Sequence, residues 1–171
     1  MTYLLSMVNQ EKVYKNILKL LENSKAEYKL FNHKAAFSYE ELNAVQKETG
    51  FRGTEGKCLV VKTEDSFVVC ITIQGKKLDF LKLGEILNKK KIRLAKSDEL
   101  KEHFGAEPGC AYPFGFDESI DIYVDSDIYV QDWFLFSPIF PTKKIQIKGL
   151  SLKKVFGNIK NKVKESFNIF I

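Results

Sequence analysis

The sequence predicts a single α/β domain, a mixed, mostly antiparallel sheet flanked by helices. Three observations predict it. Two near-continuous apolar runs, 57–62 and 67–73, are separated only by the polar turn Thr63-Glu64-Asp65-Ser66, which marks a hairpin of central strands buried on both faces. Segments of helical period are interspersed with strand-like segments along the whole chain. No repeat, low-complexity tract or linker divides the 171 residues, which suffice for one real core without metals or disulfides.

Each element has its own local reason. Val13, Tyr14, Ile17, Leu18, Leu20 and Leu21 recur at helical spacing, giving an amphipathic helix over about 10–24. Tyr28-Lys29-Leu30 reads as a short strand leading to His33. Ser38-Tyr39-Glu40-Glu41 forms a capping box, so a helix follows to about Glu48 and stops at Gly50. Asp79 caps a helix over about 80–90 with Phe80, Leu83, Ile86 and Leu87 inward. Ile92-Arg93-Leu94 is a short strand, and Ser97 caps a helix ending at Gly105. The segments 120–125, 128–130, 133–136 and 144–147 are strand-like. Ser151 caps a terminal helix with Leu152, Val155, Phe156, Ile159 and Val163 on one face.

Composition narrows the class. The chain is 44% hydrophobic and 29% charged, as in an ordinary globular domain. It has no apolar run near the ~20 residues needed to span a bilayer. Met1 to Val8 has no basic n-region and is too short for a signal peptide, so a cytoplasmic protein and no membrane partner are expected. Cys58, Cys70 and Cys110 show no zinc spacing and fit reduced thiols. With only His33 and His103 besides, neither a metal centre nor a cofactor is expected. The net charge of +5 is unevenly spread. Residues 106–142 hold seven acids and no Lys or Arg, and residues 143–164 hold eight lysines and no acid. This is compatible with a basic face for RNA, but from charge alone a solvated lysine-rich helix is the favoured account.

The loop Gly105-Ala106-Glu107-Pro108-Gly109-Cys110-Ala111-Tyr112-Pro113-Phe114-Gly115-Phe116 carries three glycines and two prolines among aromatics. Proline stiffens it and glycine bares its backbone, the combination needed where main chain approaches a ligand.

In order along the chain stand His33, the Phe37-Ser38-Tyr39-Glu40-Glu41 segment, Gly53-Thr54-Glu55-Gly56-Lys57-Cys58-Leu59-Val60-Val61, Gly75-Lys76-Lys77-Leu78-Asp79, Ile92-Arg93-Leu94-Ala95 and Gly109-Cys110-Ala111-Tyr112-Pro113-Phe114-Gly115. Six short motifs in this order and spacing resemble the YbaK/ProX family of aminoacyl-tRNA deacylases, also found as the editing domain of bacterial prolyl-tRNA synthetases. The resemblance spans about residues 10–156, giving a deacylase domain over 1–156 and a C-terminal helical extension over 157–171.

It implies a trans-editing hydrolase that deacylates tRNA for proline carrying a small wrong amino acid such as Ala or Cys. The expected partners are the tRNA 3′ acceptor end and prolyl-tRNA synthetase. The family's strand-borne lysine falls on Lys57, its Gly-x-x-x-Pro loop on Gly109 to Pro113, its Ser/Thr on Ser38 beside Phe37, and a frequent histidine on His33. Lys57 and Gly109 are thus the catalytic candidates, and His33, Phe37, Ser38, Cys110, Ala111, Tyr112 and Pro113 the substrate-binding ones. Many members have a Ser-Ala-Gly-like segment where this chain reads Phe136-Ser137-Pro138-Ile139-Phe140-Pro141, and the synthetase-embedded form has a late histidine that is absent here.

An aminoacyl ester is already activated. Its hydrolysis needs a placed water, an acyl pocket and a stabilised oxyanion, for which a positioning cation and a bare loop suffice. Cys110 lacks an evident base and reads as a buried or pocket-lining thiol. Two other readings remain open. One is a non-catalytic module binding aminoacyl-adenosine or a synthetase. The other makes the tail ending Phe167-Asn168-Ile169-Phe170-Ile171 a docking segment for a membrane or partner.

Overall fold

Local capping sets the helix boundaries in the computed structural model, which describes residues 8–166 and 168–171. The expectations placed on Met1 to Met7 and on Phe167 lie outside the described residues. Asn9 caps α1 (Gln10–Asn23) by accepting from the Lys12 N–H at 3.0 Å. Ser38 caps α2 (Tyr39–Thr49) through the Glu41 N–H, and Glu41 reaches back to the Phe37 N–H at 2.7 Å, with Gly50 ending the helix at φ +85°. Asp79 caps α3 (Phe80–Leu87), which ends at Asn88 in the left-handed region.

The strands are β1 (Tyr28–Asn32), β2 (Thr54–Lys62), β3 (Phe67–Ile73), β4 (Arg93–Leu94), β5 (Asp121–Val124), β6 (Trp133–Phe136), β7 (Lys143–Lys148) and β8 (Val163–Glu165). They form one sheet in the order β1-β7-β6-β2-β3-β5-β8, with β4 also pairing β2. The β1–β7, β6–β7, β2–β3 and β2–β4 pairs are antiparallel, and β2–β6, β3–β5 and β5–β8 are parallel.

Strand alternation divides the core between the two faces. Val60, Val69, Ile71, Ile122, Val124, Ile145 and Ile147 share the larger cluster with Ile17 and Leu21 of α1 and with Leu152, Val155 and Phe156. These last three belong to α5 (Gly149–Asn158). On the other face, Leu42 and Val45 of α2 pack with Phe51 and Leu135, and Leu83 of α3 packs with Val61, Val68, Cys70 and Tyr123.

Four local expectations are corrected. Residues 128–130 are not a strand: Ser126–Ile128 form a 3-10 turn, because Asp125 accepts from the Asp127 N–H at 3.0 Å and turns the chain. Lys96 rather than Ser97 stands at the cap of α4 (Ser97–Phe104), and the Glu99 carboxylate accepts its N–H at 2.7 Å. Ser151 lies inside α5, where its hydroxyl instead accepts from the Glu27 N–H at 2.9 Å. The helix ends at Asn158, so residues 157–171 are not a helical extension. Asn161 bonds the carbonyls of Asp117 and Ile120, and Val163 enters β8 beside β5. Ile169 and Phe170 then bury themselves against Leu78 and Leu83.

Candidate active site

The site begins with an interruption in the sheet. On one side β2 pairs β3 from Gly56 to Lys62. On the other it pairs β6 only at Thr54 and Glu55, and β4 only at Val61 and Lys62. The Val60 carbonyl bonds the Ala95 N–H at 2.8 Å on the β4 side, while the Glu55 carbonyl bonds Gln74 on the β3 side. By alternation, the amide and carbonyl of Cys58 face the open side.

A cavity of about 250 Å³ occupies this gap. Glu55, Gly56, Lys57, Cys58 and Leu59 line it from β2, Phe37, Ser38, Tyr39 and Leu42 from the start of α2, and Gly109 and Ala111 from the glycine-proline loop. Phe136, Ser137 and Lys144 complete the wall.

Two glycines let these parts close up. A Cβ on Gly56 would collide with the buried ring of Phe134. Gly109, at φ +86°, would place one 2.8 Å from the Phe37 carbonyl oxygen, so the loop rests directly on the lead-in to α2.

Five of the residues singled out in the sequence therefore share one wall: Phe37, Ser38, Lys57, Gly109 and Ala111. Lys57, half-buried, donates to the Lys76 carbonyl at 2.8 Å. The Ser38 hydroxyl caps α2, and Phe37 is exposed beside it. The other four lie behind or beside the cavity. Cys110 is fully buried, and burial pushes its thiol up to about 11. Tyr112 is in the main core with its hydroxyl donating to the Phe104 carbonyl at 2.7 Å, and Pro113 is buried next to it. His33 Nδ1 bonds the Lys34 carbonyl at 2.6 Å, which makes Nδ1 the protonated nitrogen, and Nε2 is buried without a partner among the described residues.

The largest electrostatic feature of the wall was missed in the sequence. Lys144, 1% exposed, bonds Glu55, 8% exposed, at 3.0 Å. Burial raises the Glu55 carboxyl and lowers the Lys144 ammonium, each opposed by its partner. Burial also pushes the neighbouring Cys58 thiol up to about 12, so it stays protonated at neutral pH.

The lysine run 143–164 does not form one free basic face. Lys144 is interior, Lys148 pairs with Asp132 over the Trp133 ring, and Lys160 and Lys164 approach Glu118 and Asp121. In the divergent 136–141 segment, the Ile139 N–H bonds the Ser137 carbonyl at 2.9 Å and Ile139 takes φ +66°, rare for a β-branched residue.

A mixed sheet parted beside a loop-capped cavity, with a cation and bare main chain on its wall, defines an α/β domain with a candidate small-ligand site at the open edge of β2. The chain belongs to the aminoacyl-tRNA editing domain family, which matches residues 33–155. Proline–tRNA ligase of Bacillus velezensis (strain DSM 23117 / BGSC 10A6 / LMG 26770 / FZB42) is 32% identical over 74 residues, 43% of this chain and 13% of that protein. Proline–tRNA ligase of Bacillus subtilis (strain 168) is 25% identical over 72 residues, 42% of this chain and 13% of that protein. The aligned stretch is thus about an eighth of these relatives' length.

Among solved structures, hypothetical protein APE2540 superposes with TM-score 0.73 and 16% identity over 91% of this chain and 99% of that one. A protein described as a "putative trans-editing enzyme for prolyl tRNA synthetase" does so with TM-score 0.69 and 20% identity over 90% and 95%. No described helix is long and apolar enough to cross a membrane.

Proposed function

We propose that this editing domain is a deacylase that frees tRNA for proline from a small wrong amino acid, of the size of Ala or Cys, acting in trans in the cytoplasm. The observation that carries the reading is that Lys57 and Gly109 stand on the wall of the same cavity at the open edge of β2. In the reaction a water oxygen bonds to the acyl carbonyl carbon, and the bond from that carbon to the ribose oxygen breaks. The ribose oxygen takes a proton, leaving a free amino acid and a free tRNA 3′ end.

Lys57 spends one of its three N–H donors on Lys76 and offers the others to the terminal phosphate or the ester oxygen. The main-chain groups of Cys58 and of the Gly109 loop orient the acyl group, and Phe37 walls its mouth. The neighbouring ribose hydroxyl assists the water, so a substrate ending in 2′-deoxyadenosine reacts more slowly. Desolvation holds the partly buried Cys58 thiol and the buried Cys110 thiol protonated, which makes both poor nucleophiles.

A second reading, a non-catalytic module on the same scaffold, draws support from Phe136 and Ser137, which stand on the wall in the segment that departs from the family pattern. One panel separates the two: deacylation of Ala-, Cys-, Ser- and Pro-charged tRNA for proline by wild type and by Lys57→Ala. Selective hydrolysis that collapses in the variant supports the deacylase. Binding of charged tRNA by folded wild type without hydrolysis of any member supports the module.

A further inference from the structure

The Glu55–Lys144 pair has no part in the ester chemistry above, yet it occupies the wall of the acyl cavity. Both residues are more than nine-tenths buried. Glu55 Oε2 accepts from Lys144 Nζ, whereas Glu55 Oε1 is buried with no hydrogen-bond partner among the described residues. Lys144 Nζ carries three N–H groups and makes this one hydrogen bond among the described residues, with the Phe51 ring at 5.7 Å and the Cys58 and Cys110 thiols also near it. The pair thus holds one unsatisfied acceptor next to unused donors just beneath the cavity surface, and it is neutral as a unit. His33, whose Nε2 is also buried without a partner among the described residues, is near enough to act on Glu55. A buried carboxylate oxygen left unpaired is costly, and a ligand that completes it recovers that cost.

Resting on the deacylase reading, we propose that Glu55 and Lys144 determine specificity, selecting acyl groups whose small neutral side chain both donates and accepts hydrogen bonds. A hydroxyl does this with one oxygen, donating a hydrogen bond to Glu55 Oε1 while accepting one from Lys144. A carboxamide does it with its N–H₂ and its carbonyl. An alkyl side chain of the same size does neither and leaves both groups stranded. Sites built to pair a polar substrate group reject the apolar isostere far more strongly than a hydrophobic pocket distinguishes a methylene. A cationic side chain meets Lys144 and an anionic one meets Glu55, so the pair disfavours both.

The test compares near-isosteric acyl groups on one tRNA for proline: Ser against Ala, Thr against Val, and Asn against Leu. Wild type is expected to favour the polar member of at least one pair by ten-fold or more in kcat/KM. Preference in the Ser and Thr pairs identifies a hydroxyl, and preference confined to the Asn pair a carboxamide. Glu55→Leu combined with Lys144→Met should bring the ratio toward one, with folding checked by thermal unfolding. Glu55→Gln, which keeps the side-chain shape, should lower it in the same direction.

Hydrolysis by wild type that is equal or faster for all the apolar members overturns the inference and leaves the deacylase reading standing. A polar preference that survives in folded variants overturns the assignment to this pair. No hydrolysis of any acyl group by folded wild type overturns the deacylase reading and the inference with it.

Discussion

The ammonium of Lys57 donates a 2.8 Å hydrogen bond to the main-chain carbonyl of Lys76, tying the cavity edge of β2 to the turn after β3. That turn is itself held. Gly75 supplies φ +96°, and the Lys76 side chain pairs with Asp125 at 2.8 Å and with Asp127. A lysine otherwise loses up to about 2 kcal/mol of side-chain entropy when a ligand fixes it, and the anchor removes part of that cost in advance. Lys57→Ala should therefore lower kcat/KM for deacylation by at least about ten-fold, roughly 1.4 kcal/mol of transition-state stabilisation, while moving Tm by only a few degrees. Lys57→Arg should not restore full activity, because a planar fork cannot hold the same carbonyl and present the same charge. Steady-state kinetics beside thermal unfolding checks both. A large fall in Tm with unchanged kinetics would make Lys57 purely structural.

Gly50 and Gly109 have nearly the same backbone angle, φ +85° and +86°, but different surroundings. Nothing lies within 4 Å of a Cβ built on Gly50, whereas one on Gly109 would meet the Phe37 carbonyl oxygen at 2.8 Å. Gly50→Ala should cost only the conformational penalty, about 1–2 kcal/mol. Gly109→Ala should cost more, and should also reduce deacylation by pushing the loop off the cavity wall. Urea denaturation of the two variants isolates the Phe37 contact as their difference, and equal losses would remove it from the argument.

The hairpin of β2 and β3, the helix caps at Ser38 and Asp79 and the stop at Gly50 were legible because each depends on neighbouring residues. The order of the motifs brought Lys57 and Gly109 forward as candidates, and the two line the same cavity. Lys144 was not. Ile145 and Ile147 alternate with Lys144 and Gln146, so the polar pair reads as a solvent face, and only the packing of α2 over that face buries it. Glu55 was hidden for the same reason: its partner lies 89 residues away. The tail misread as helix shows the same limit. Its apolar residues fit a helical face, but β5 offers an open edge and the α3 face an apolar seat, and these long-range contacts outweigh local periodicity.

That seat yields a stability prediction. Ile169 is fully buried, and the ends of the segment bond the chain before α3: Lys77 N–H to the Ile171 carbonyl at 2.6 Å, Ile171 N–H to the Lys77 carbonyl at 2.8 Å, and Asp79 N–H to the Ile169 carbonyl at 2.7 Å. Ile169→Ala should destabilise the domain by about 2–4 kcal/mol through the lost side chain and the space it leaves beside Leu78 and Leu83. An unchanged urea midpoint would show that the tail is not seated in solution.

Asp125 gives the pH dependence. Burial alone raises its carboxyl, but hydrogen bonds from the Lys76 ammonium at 2.8 Å, the Thr72 hydroxyl at 2.6 Å and the Asp127 N–H at 3.0 Å outweigh it. The carboxyl therefore titrates below its ordinary 3.8. Between the folded value and 3.8 the unfolded chain binds more protons than the folded one, so stability rises with pH there. The contribution is complete above 3.8 and drains away as pH falls through the folded value. Lys76 works in the opposite sense: hydrogen bonds to Asp125 and then Asp127 raise its ammonium above 10.5, and the stability this brings is lost as pH rises through the folded value. Asp125→Asn should cost about 1.5–3 kcal/mol at pH 7, the range for a charged hydrogen bond, and should flatten the acid limb below 3.8. Chemical denaturation at pH 7 and in steps from pH 5 to pH 2 measures both effects. An acid limb equally steep in the variant would assign the loss to other carboxylates and return Asp125 to a purely geometric role in holding the turn behind Lys57.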